Sequence, residues 1–188
     1  MNHVLNCCKV SLEQGRFTYR HDNILTYISK CLDKDKFTCF IDIKDHQTPS
    51  GGTLPPSVIV TNLKPDIVII DKKNKTINIF ELTVPGETRL KISHNLKQEK
   101  YQHFTSDIKS YSAAVAAFEV GSHTGFINSE NKQTLKNLHK FCKKDIKLKN
   151  FKTNISSISV LSSYYLFTCR NSEAWQRSEP IMAPMSNQ

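Results

Sequence analysis

The sequence lacks a long apolar run, a paired-cysteine motif and a full complement of acidic residues. None of its 188 residues lie in an apolar stretch approaching the ~18 positions that a membrane-spanning helix needs. Its six cysteines (Cys7, Cys8, Cys31, Cys39, Cys142, Cys169) contain no C-x-x-C. The start, Met1-Asn2-His3-Val4, shows neither the basic nor the apolar region of a secretory signal. The thiols are therefore expected to be reduced, in a cytosolic or nuclear protein. Internal repeats and low-complexity tracts are also lacking. Asp and Glu number 17 against 26 Lys and Arg, a formal charge of +9. An excess of that size predicts a polyanionic partner, with nucleic acid first and an anionic membrane surface second. With 38% hydrophobic and 23% charged residues, the chain has the composition of one globular domain able to bury a core.

What is there reads as alternating helices and strands. Residues 19–32 predict a helix, with Ile24, Leu25, Ile28 and Leu32 at helical spacing. Phe37 to Ile43 predicts a strand, and residues 44–57, with three prolines and two glycines, predict a long loop. Three β-branched stretches follow, at Ser57–Thr61, Asp66–Asp71 and Thr76–Val84. The last two flank the polar segment Lys72-Lys73-Asn74-Lys75 and predict an antiparallel hairpin. Beyond Pro85-Gly86, periodicity predicts a helix over 87–111, a strand at Ala113–Val120 and helices over 129–147 and 151–170. The tail from Ser178 has no pattern and is expected to be disordered. Strands mixed with helices imply a layered α/β domain around a small mixed sheet.

The simplest hairpin register sets Asp71 opposite Thr76, so facing positions sum to 147. Ile70 then faces Ile77, Val68 faces Ile79 and Asp66 faces Glu81, all on one face because side chains alternate with period two. Two carboxylates facing each other are unfavourable without a cation. A divalent metal such as Mg²⁺, which accepts one or two carboxylates, is one such cation. Alternatively, Asp66 merely opens its strand after Lys64-Pro65 while Glu81 points to water or pairs with a lysine. A one-residue slip would separate the acids onto opposite faces.

The helix over 87–111 has a seam of Leu90, His94, Lys97, Tyr101, Phe104, Ile108 and Tyr111, spaced alternately by four and three. Lys97 interrupts this apolar seam. It either snorkels to solvent or, because a buried lysine needs a partner, meets Asp66 and Glu81 where the seam crosses the sheet. Lys100 is the reserve for that role. His94 reads as a satisfied helix histidine, with a functional role as the alternative.

Two acids on a hairpin with a lysine nearby resemble the PD-(D/E)XK nuclease superfamily. Pro65-Asp66 opens one strand and Glu81 stands on the next, but Thr83 holds the usual lysine position, and Lys97 resembles the migrated lysine known in that superfamily. The order Tyr19-Arg20-His21-Asp22, Lys64-Pro65-Asp66, Glu81-Leu82-Thr83-Val84, Lys97-x-x-Lys100-Tyr101 and Glu119-Val120-Gly121 is similar to the restriction-like endonuclease domain of site-specific non-LTR retrotransposon proteins, over residues 3 to 175. The resemblance implies a restriction-endonuclease-like αβββαβ core over residues 15–175. It further implies catalytic Asp66, Glu81 and Lys97, supported by Lys64, Tyr101, Lys100, His21 and Arg20. Mg²⁺ or Mn²⁺ would be held by Asp66, Glu81 and the backbone carbonyl of Leu82. His3 and Cys8 resemble the end of an upstream zinc knuckle, assigning residues 1–14 to its remnant. The two earlier cysteine ligands are absent, so Zn²⁺ is not expected. The resemblance also implies DNA as partner, the reverse transcriptase portion of a parent element and its RNA as further partners, a nuclear location and a chain that is a fragment or remnant of a larger protein.

Lys132, Lys136, Lys140 and Lys144 recur every four residues in the predicted helix 129–147, opposite a stripe of Leu135, Leu138, Cys142 and Ile146. Such a row is either a solvated face or a set of DNA phosphate contacts. Two functional expectations follow: a metal-dependent DNA endonuclease, or a catalytically inactive DNA-binding remnant. A nuclease of the same superfamily in DNA repair is a third.

Overall fold

In a computed structural model, residues 3–43, 63–101, 108 and 111–171 are described, with side chains from Leu5 onward. A π-helical turn (His3–Cys7) and α1 (Lys9–Glu13) precede α2 (Arg16–Cys31), β1 (Thr38–Ile41), β2 (Ile67–Asp71), β3 (Thr76–Thr83), α3 (Leu90–Tyr101), β4 (Ser112–Glu119), α4 (Ser129–His139) and α5 (Leu148–Thr168). The fold is mixed α/β. A four-stranded sheet in the order β1-β2-β3-β4 is antiparallel across its first two pairs and parallel between β3 and β4. The parallel pair requires a crossover, and α3 lies within it. The expected strand at Ser57–Thr61, the tail from Ser178 and Phe104 of the helical seam lie outside the described residues.

The hairpin forms in the register the alternation predicts: Ile67 pairs with Phe80, Val68 with Ile79, Ile70 with Ile77 and Asp71 with Thr76. Its turn is held by Asp71, whose carboxylate accepts from the Asn74 amide at 3.0 Å and side chain at 2.7 Å, while Lys75 takes a left-handed conformation. Every residue of β2 is buried, so both faces of the sheet are covered there. Val68, Ile70, Ile77 and Ile79 project to one face, against Tyr101 at the end of α3 and Ile108 beyond it. Ile67, Ile69, Phe80, Leu82 and Phe118 project to the other, forming the larger core with Ile24 and Ile28 of α2, Leu135 and Leu138 of α4, and Phe151 and Ile155 of α5.

Several boundaries differ from the sequence reading, three of them for clear physical reasons; α5 starts at Leu148 instead of 151. Helix α2 begins at Arg16, because its buried face is partly polar. Arg16, Arg20, Asp22 and Asn23 are all buried there, and apolar periodicity does not register them. Helix α4 stops at His139 instead of running to 147. The chain turns away to pair Cys142 with Leu32, while Lys143 donates to the Cys31 carbonyl and Asp33 to that of Phe141. Cys142 is thus buried as expected, but by a backbone bridge to the end of α2 and not by a helical stripe. The expected helix over 87–111 is a 3₁₀ turn at Glu87–Arg89 followed by α3, which ends at Tyr101 among the described residues.

Serine-rich α5 is a full helix of 21 residues. Its small side chains face α2 and bond across the contact. Asn23 donates to Ser162 Oγ at 3.0 Å and Arg20 to Ser163 Oγ at 3.2 Å, while Ser159 instead donates to the Gly121 carbonyl just past β4 at 3.0 Å. Close approach continues at Gly125, which has φ +66° and whose missing Cβ would lie 2.5 Å from the Ser156 carbonyl oxygen.

Candidate active site

Extending the hairpin register one step beyond Ile67 and Phe80 brings Asp66 opposite Glu81. The two are linked through the backbone. Asp66 donates its amide to Glu81 Oε1 at 3.0 Å, and Leu82 donates its amide to Asp66 Oδ2 at 2.8 Å. Leu82 therefore joins the site through its amide. Glu81 is fully buried and Asp66 nearly so.

Lys97 reaches down from α3 between them. Its Nζ lies 2.7 Å from Glu81 Oε2 and 3.3 Å from Asp66 Oδ2. The lysine in the apolar seam is thus paired, and its neighbours on the seam, Tyr101 and Ile108, pack on the same sheet face. Lys100 lies outside the site, its ammonium 4.9 Å from the centre of the Tyr101 ring. Tyr101 is buried, and its hydroxyl donates to the Lys64 carbonyl at 3.2 Å, fastening the segment that carries Asp66. The Lys64 side chain is exposed at the mouth of the site.

Asp66 also meets a second basic group. His21 on α2 lies 3.4 Å from Asp66 Oδ2 through Nε2 and 3.1 Å from Asp22 Oδ1 through Nδ1. Burial opposes the imidazolium, but bonds and charges of Asp22 and Asp66 outweigh it and raise its pKa to about 9. Burial pushes the Asp66 carboxyl up, yet His21, Lys97 and the Leu82 amide together hold it below the ordinary range. For Glu81, burial and the adjacent Asp66 charge prevail over Lys97, and its carboxyl is raised. Lys97 is disfavoured as a cation by burial but kept one by the two acids, which raise its pKa. One acid down and one up is the behaviour expected of two carboxylates sharing a site.

A cleft of about 570 Å³ opens on Asp66, lined also by His21, Asp22, Asp42, Lys64 and Phe17. Asp42 escaped the sequence reading because a lone acid just past a strand carries no spacing signal. Burial raises its carboxyl. Arg20, placed beside His21 in sequence, points away from this cleft. Its guanidinium is buried and donates to the carbonyls of Leu5 (3.1 Å) and Val84 (2.8 Å) and to Ser163 Oγ (3.2 Å), tying the N-terminal turn, α5 and the end of β3 together. Burial lowers its pKa to about 10.

No protein-family model matches this chain, and no curated protein matches it.

A second histidine–carboxylate pair stands one turn back on α3. His94 Nδ1 lies 3.1 Å from Glu119 Oε2 at the end of β4, and its Nε2 lies 3.3 Å from the Gln98 amide nitrogen. Glu119 faces Thr83, two positions beyond Glu81 on the neighbouring strand, so both acids lie on the sheet face that α3 covers. Each of these residues was noticeable in sequence, but nothing in the spacing between 94 and 119 pairs them.

The donors that Asp66 and Glu81 offer are hard oxygens, the class that Mg²⁺ and Mn²⁺ prefer. The pair already gathers a cation in the Lys97 ammonium, so a positive charge fits between them. Among the described residues, no group of three or more His, Cys, Asp and Glu side chains converges as a ligand set. A metal here would take two carboxylates, with water or substrate oxygen completing its shell. The His3 side chain lies outside the described residues, so its pairing with Cys8 has no geometry. Leu5, between them, is buried against Tyr19 and Leu166.

Lys132, Lys136, Lys140 and Lys144 are all exposed. The first two lie on α4 and Lys140 caps its end, bonding Asn137 at 3.0 Å. Lys144 stands in the turn that follows and does not continue the helical row, because the chain has left for its bridge to Leu32. None of the described helices is long and apolar enough to cross a membrane.

Proposed function

We propose that this chain is a metal-dependent DNA endonuclease domain of restriction-like fold, hydrolysing a phosphodiester. The observation that carries the reading is Lys97 reaching from α3 to bond both Asp66 and Glu81, two buried acids on adjacent strands. Exposed pairs of this kind are common and weak, but a sheltered acid–acid–lysine cluster beside an open cleft concentrates charge where a phosphate is to be handled. The element order α2-β1-β2-β3-α3-β4 supports this reading, which implies an αβββαβ core.

Asp66, at the cleft, and Glu81 behind it would hold Mg²⁺ or Mn²⁺, which when bound supplies Lewis-acid stabilisation of the phosphate. Lys97, kept as an ammonium, offsets the charge that grows on the non-bridging oxygens. Tyr101 keeps Lys64-Pro65-Asp66 in place through the Lys64 carbonyl. His21 sets the Asp66 carboxylate from the cleft side. Lys132, Lys136, Lys140 and Lys144 would contact phosphates away from the reacting bond, adding affinity without sequence readout. Retrotransposon origin, a nuclear location and an attached reverse transcriptase rest on the order of the sequence motifs alone.

The test is Mg²⁺-dependent nicking of supercoiled plasmid. Wild type should convert it to the open circle, and Asp66→Ala should abolish conversion while retaining DNA binding. Equal nicking by both proteins refutes the catalytic role. One observation favours a second reading, a non-catalytic DNA-binding remnant: Lys97 already bonds both acids and His21 bonds Asp66, which makes the cluster self-sufficient as a structural pin. Salt-dependent DNA binding with no cleavage under Mg²⁺ or Mn²⁺ would favour it.

A further inference from the structure

Hydrolysis of a phosphodiester needs a group to accept the proton of the attacking water, and Lys97 and His21, the basic groups bonded to the acids, are already paired. Lys97 has its ammonium between two carboxylates, at 2.7 and 3.3 Å. His21 has a carboxylate at each ring nitrogen, Asp22 at 3.1 Å and Asp66 at 3.4 Å, so neither nitrogen offers a free lone pair. His94 differs. Its Nδ1 faces Glu119 Oε2 at 3.1 Å, while its Nε2, among the described residues, meets the Gln98 side-chain nitrogen at 3.3 Å.

With a carboxylate at Nδ1, the proton of the neutral ring belongs on Nδ1, and Nε2 carries the lone pair, accepting from the Gln98 amide. His94 precedes Lys97 by three residues, so both project from one face of α3, with Cβ atoms roughly 5–6 Å apart. Its side chain is a quarter exposed, much like that of Lys97, whereas Glu119 beneath it is sealed. Burial raises the Glu119 carboxyl, with His94 acting against that rise, so an imidazolium forming above it favours the carboxylate. The charged groups around the ring are Glu119 from β4, Glu130 of α4 behind it, and Lys91 and Lys97 on α3 itself.

We propose that His94 is the general base of the hydrolysis, with Glu119 as its positioning residue, an inference that rests on the nuclease reading above. The water oxygen forms its bond to phosphorus as its proton passes to His94 Nε2. The bond from phosphorus to the leaving sugar oxygen breaks, and that oxygen is protonated by solvent. Glu119 keeps the Nδ1 proton in place and stabilises the imidazolium that results.

Plasmid nicking with Mg²⁺ across pH 5.5–9 tests this, alongside nitrogen NMR of the His94 ring in the metal-free protein. Wild type should nick with a rate that rises with pH. His94→Gln should lose about 100-fold and that pH limb, with DNA affinity unchanged. Glu119→Gln should move the limb to lower pH, and Glu119→Asp should restore it in part. The ring should carry its proton on Nδ1, and Glu119→Gln should weaken that preference. If Asp66→Ala is dead but His94→Gln nicks with the wild-type profile, the nuclease reading stands and this inference falls. A ring protonated on Nε2, or a tautomer preference unmoved by Glu119→Gln, also overturns it. A wild-type protein that nicks nothing overturns both.

Discussion

Lys97 Nζ stands 2.7 Å from Glu81 Oε2, a bond between the middle of α3 and a fully buried acid on β3. It places a cation on an otherwise apolar helix face and holds two facing carboxylates together. Removing one partner of such a cluster leaves uncompensated buried charge, whose cost is several times that of a surface pair. Lys97→Met should lower stability by about 3 kcal/mol at neutral pH in urea denaturation. The loss should shrink on acidification, because Glu81, with its carboxyl already raised, takes up a proton. Adding Asp66→Asn to Lys97→Met should recover part of the loss at neutral pH. A Lys97→Met protein as stable as wild type would show that the cluster is not coupled.

Arg20 is predicted to matter for folding rather than for the cleft. One guanidinium serves two carbonyls and a serine hydroxyl from three separate parts of the chain. A lysine is a single point donor and cannot reproduce that fork. Arg20→Lys should cost roughly 2–4 kcal/mol by denaturant titration, with the remaining folded protein retaining wild-type DNA affinity. A stable variant with weakened DNA binding would move Arg20 back to the site.

His21 links the site to alkaline pH. Its folded pKa, about 9, lies above the ordinary value of about 6.5. Its contribution is therefore fully present below pH 6.5 and is lost as pH rises through 9. Thermal melts of wild type should fall across that window, by roughly 2–3 kcal/mol at most. His21→Asn should be less stable at pH 6 and nearly flat over the same range. Parallel curves for the two proteins would contradict the doubly bonded imidazolium.

Glu87 works in the opposite direction. Its carboxylate accepts from the amides of His123 and Thr124, the Thr124 hydroxyl and His123 Nδ1, the last at 2.6 Å. Burial opposes the charge, but these bonds lower the pKa from 4.5 to about 2. The stability they contribute is present above pH 4.5 and lost as pH falls towards 2. Glu87→Gln should cost about 1–2 kcal/mol at neutral pH, moderated by partial solvation, and should flatten the acid limb of a pH-dependent melt. Gly121→Ala should destabilise the same junction, since its Cβ would lie 2.6 Å from Glu87 Oε1.

The lysines at α4 give a prediction in salt. Replacing Lys132, Lys136 and Lys140 with Gln should leave the melting temperature unchanged, because all three are exposed. If they neutralise phosphates, the slope of log affinity against log salt should fall by about 0.9 for each phosphate left without its lysine. An unchanged slope would return them to the role of a solvated face.

Much of the fold was legible because it depends on short-range pattern. Alternation over 66–71 and 76–84 was enough to set the hairpin register, since a one-residue slip would expose Val68, Ile70, Ile77 and Ile79 together. The spacing of Lys97 and Tyr101 within the 4-3 seam likewise marked the face that lies on the sheet. The end of α4 was not legible. Leu135, Leu138, Cys142 and Ile146 keep helical spacing, yet backbone pairing with residues 31–33 decides where the helix stops. The polar interior of α2 was equally silent, because the acceptors that make Arg20 and Asn23 tolerable inside belong to Leu5, Val84, Ser162 and Ser163.

The sequence by itself determined that Asp66 faces Glu81 and that a lysine interrupts the seam of the next helix, because both follow from the periods of a strand and a helix. Only the tertiary structure decided that Lys97 and not Lys100 meets the acids, that His21 closes on Asp66 from α2, and that His94 finds Glu119. Those pairings join residues far apart in the chain. They depend on how elements cross in space, which no local period encodes.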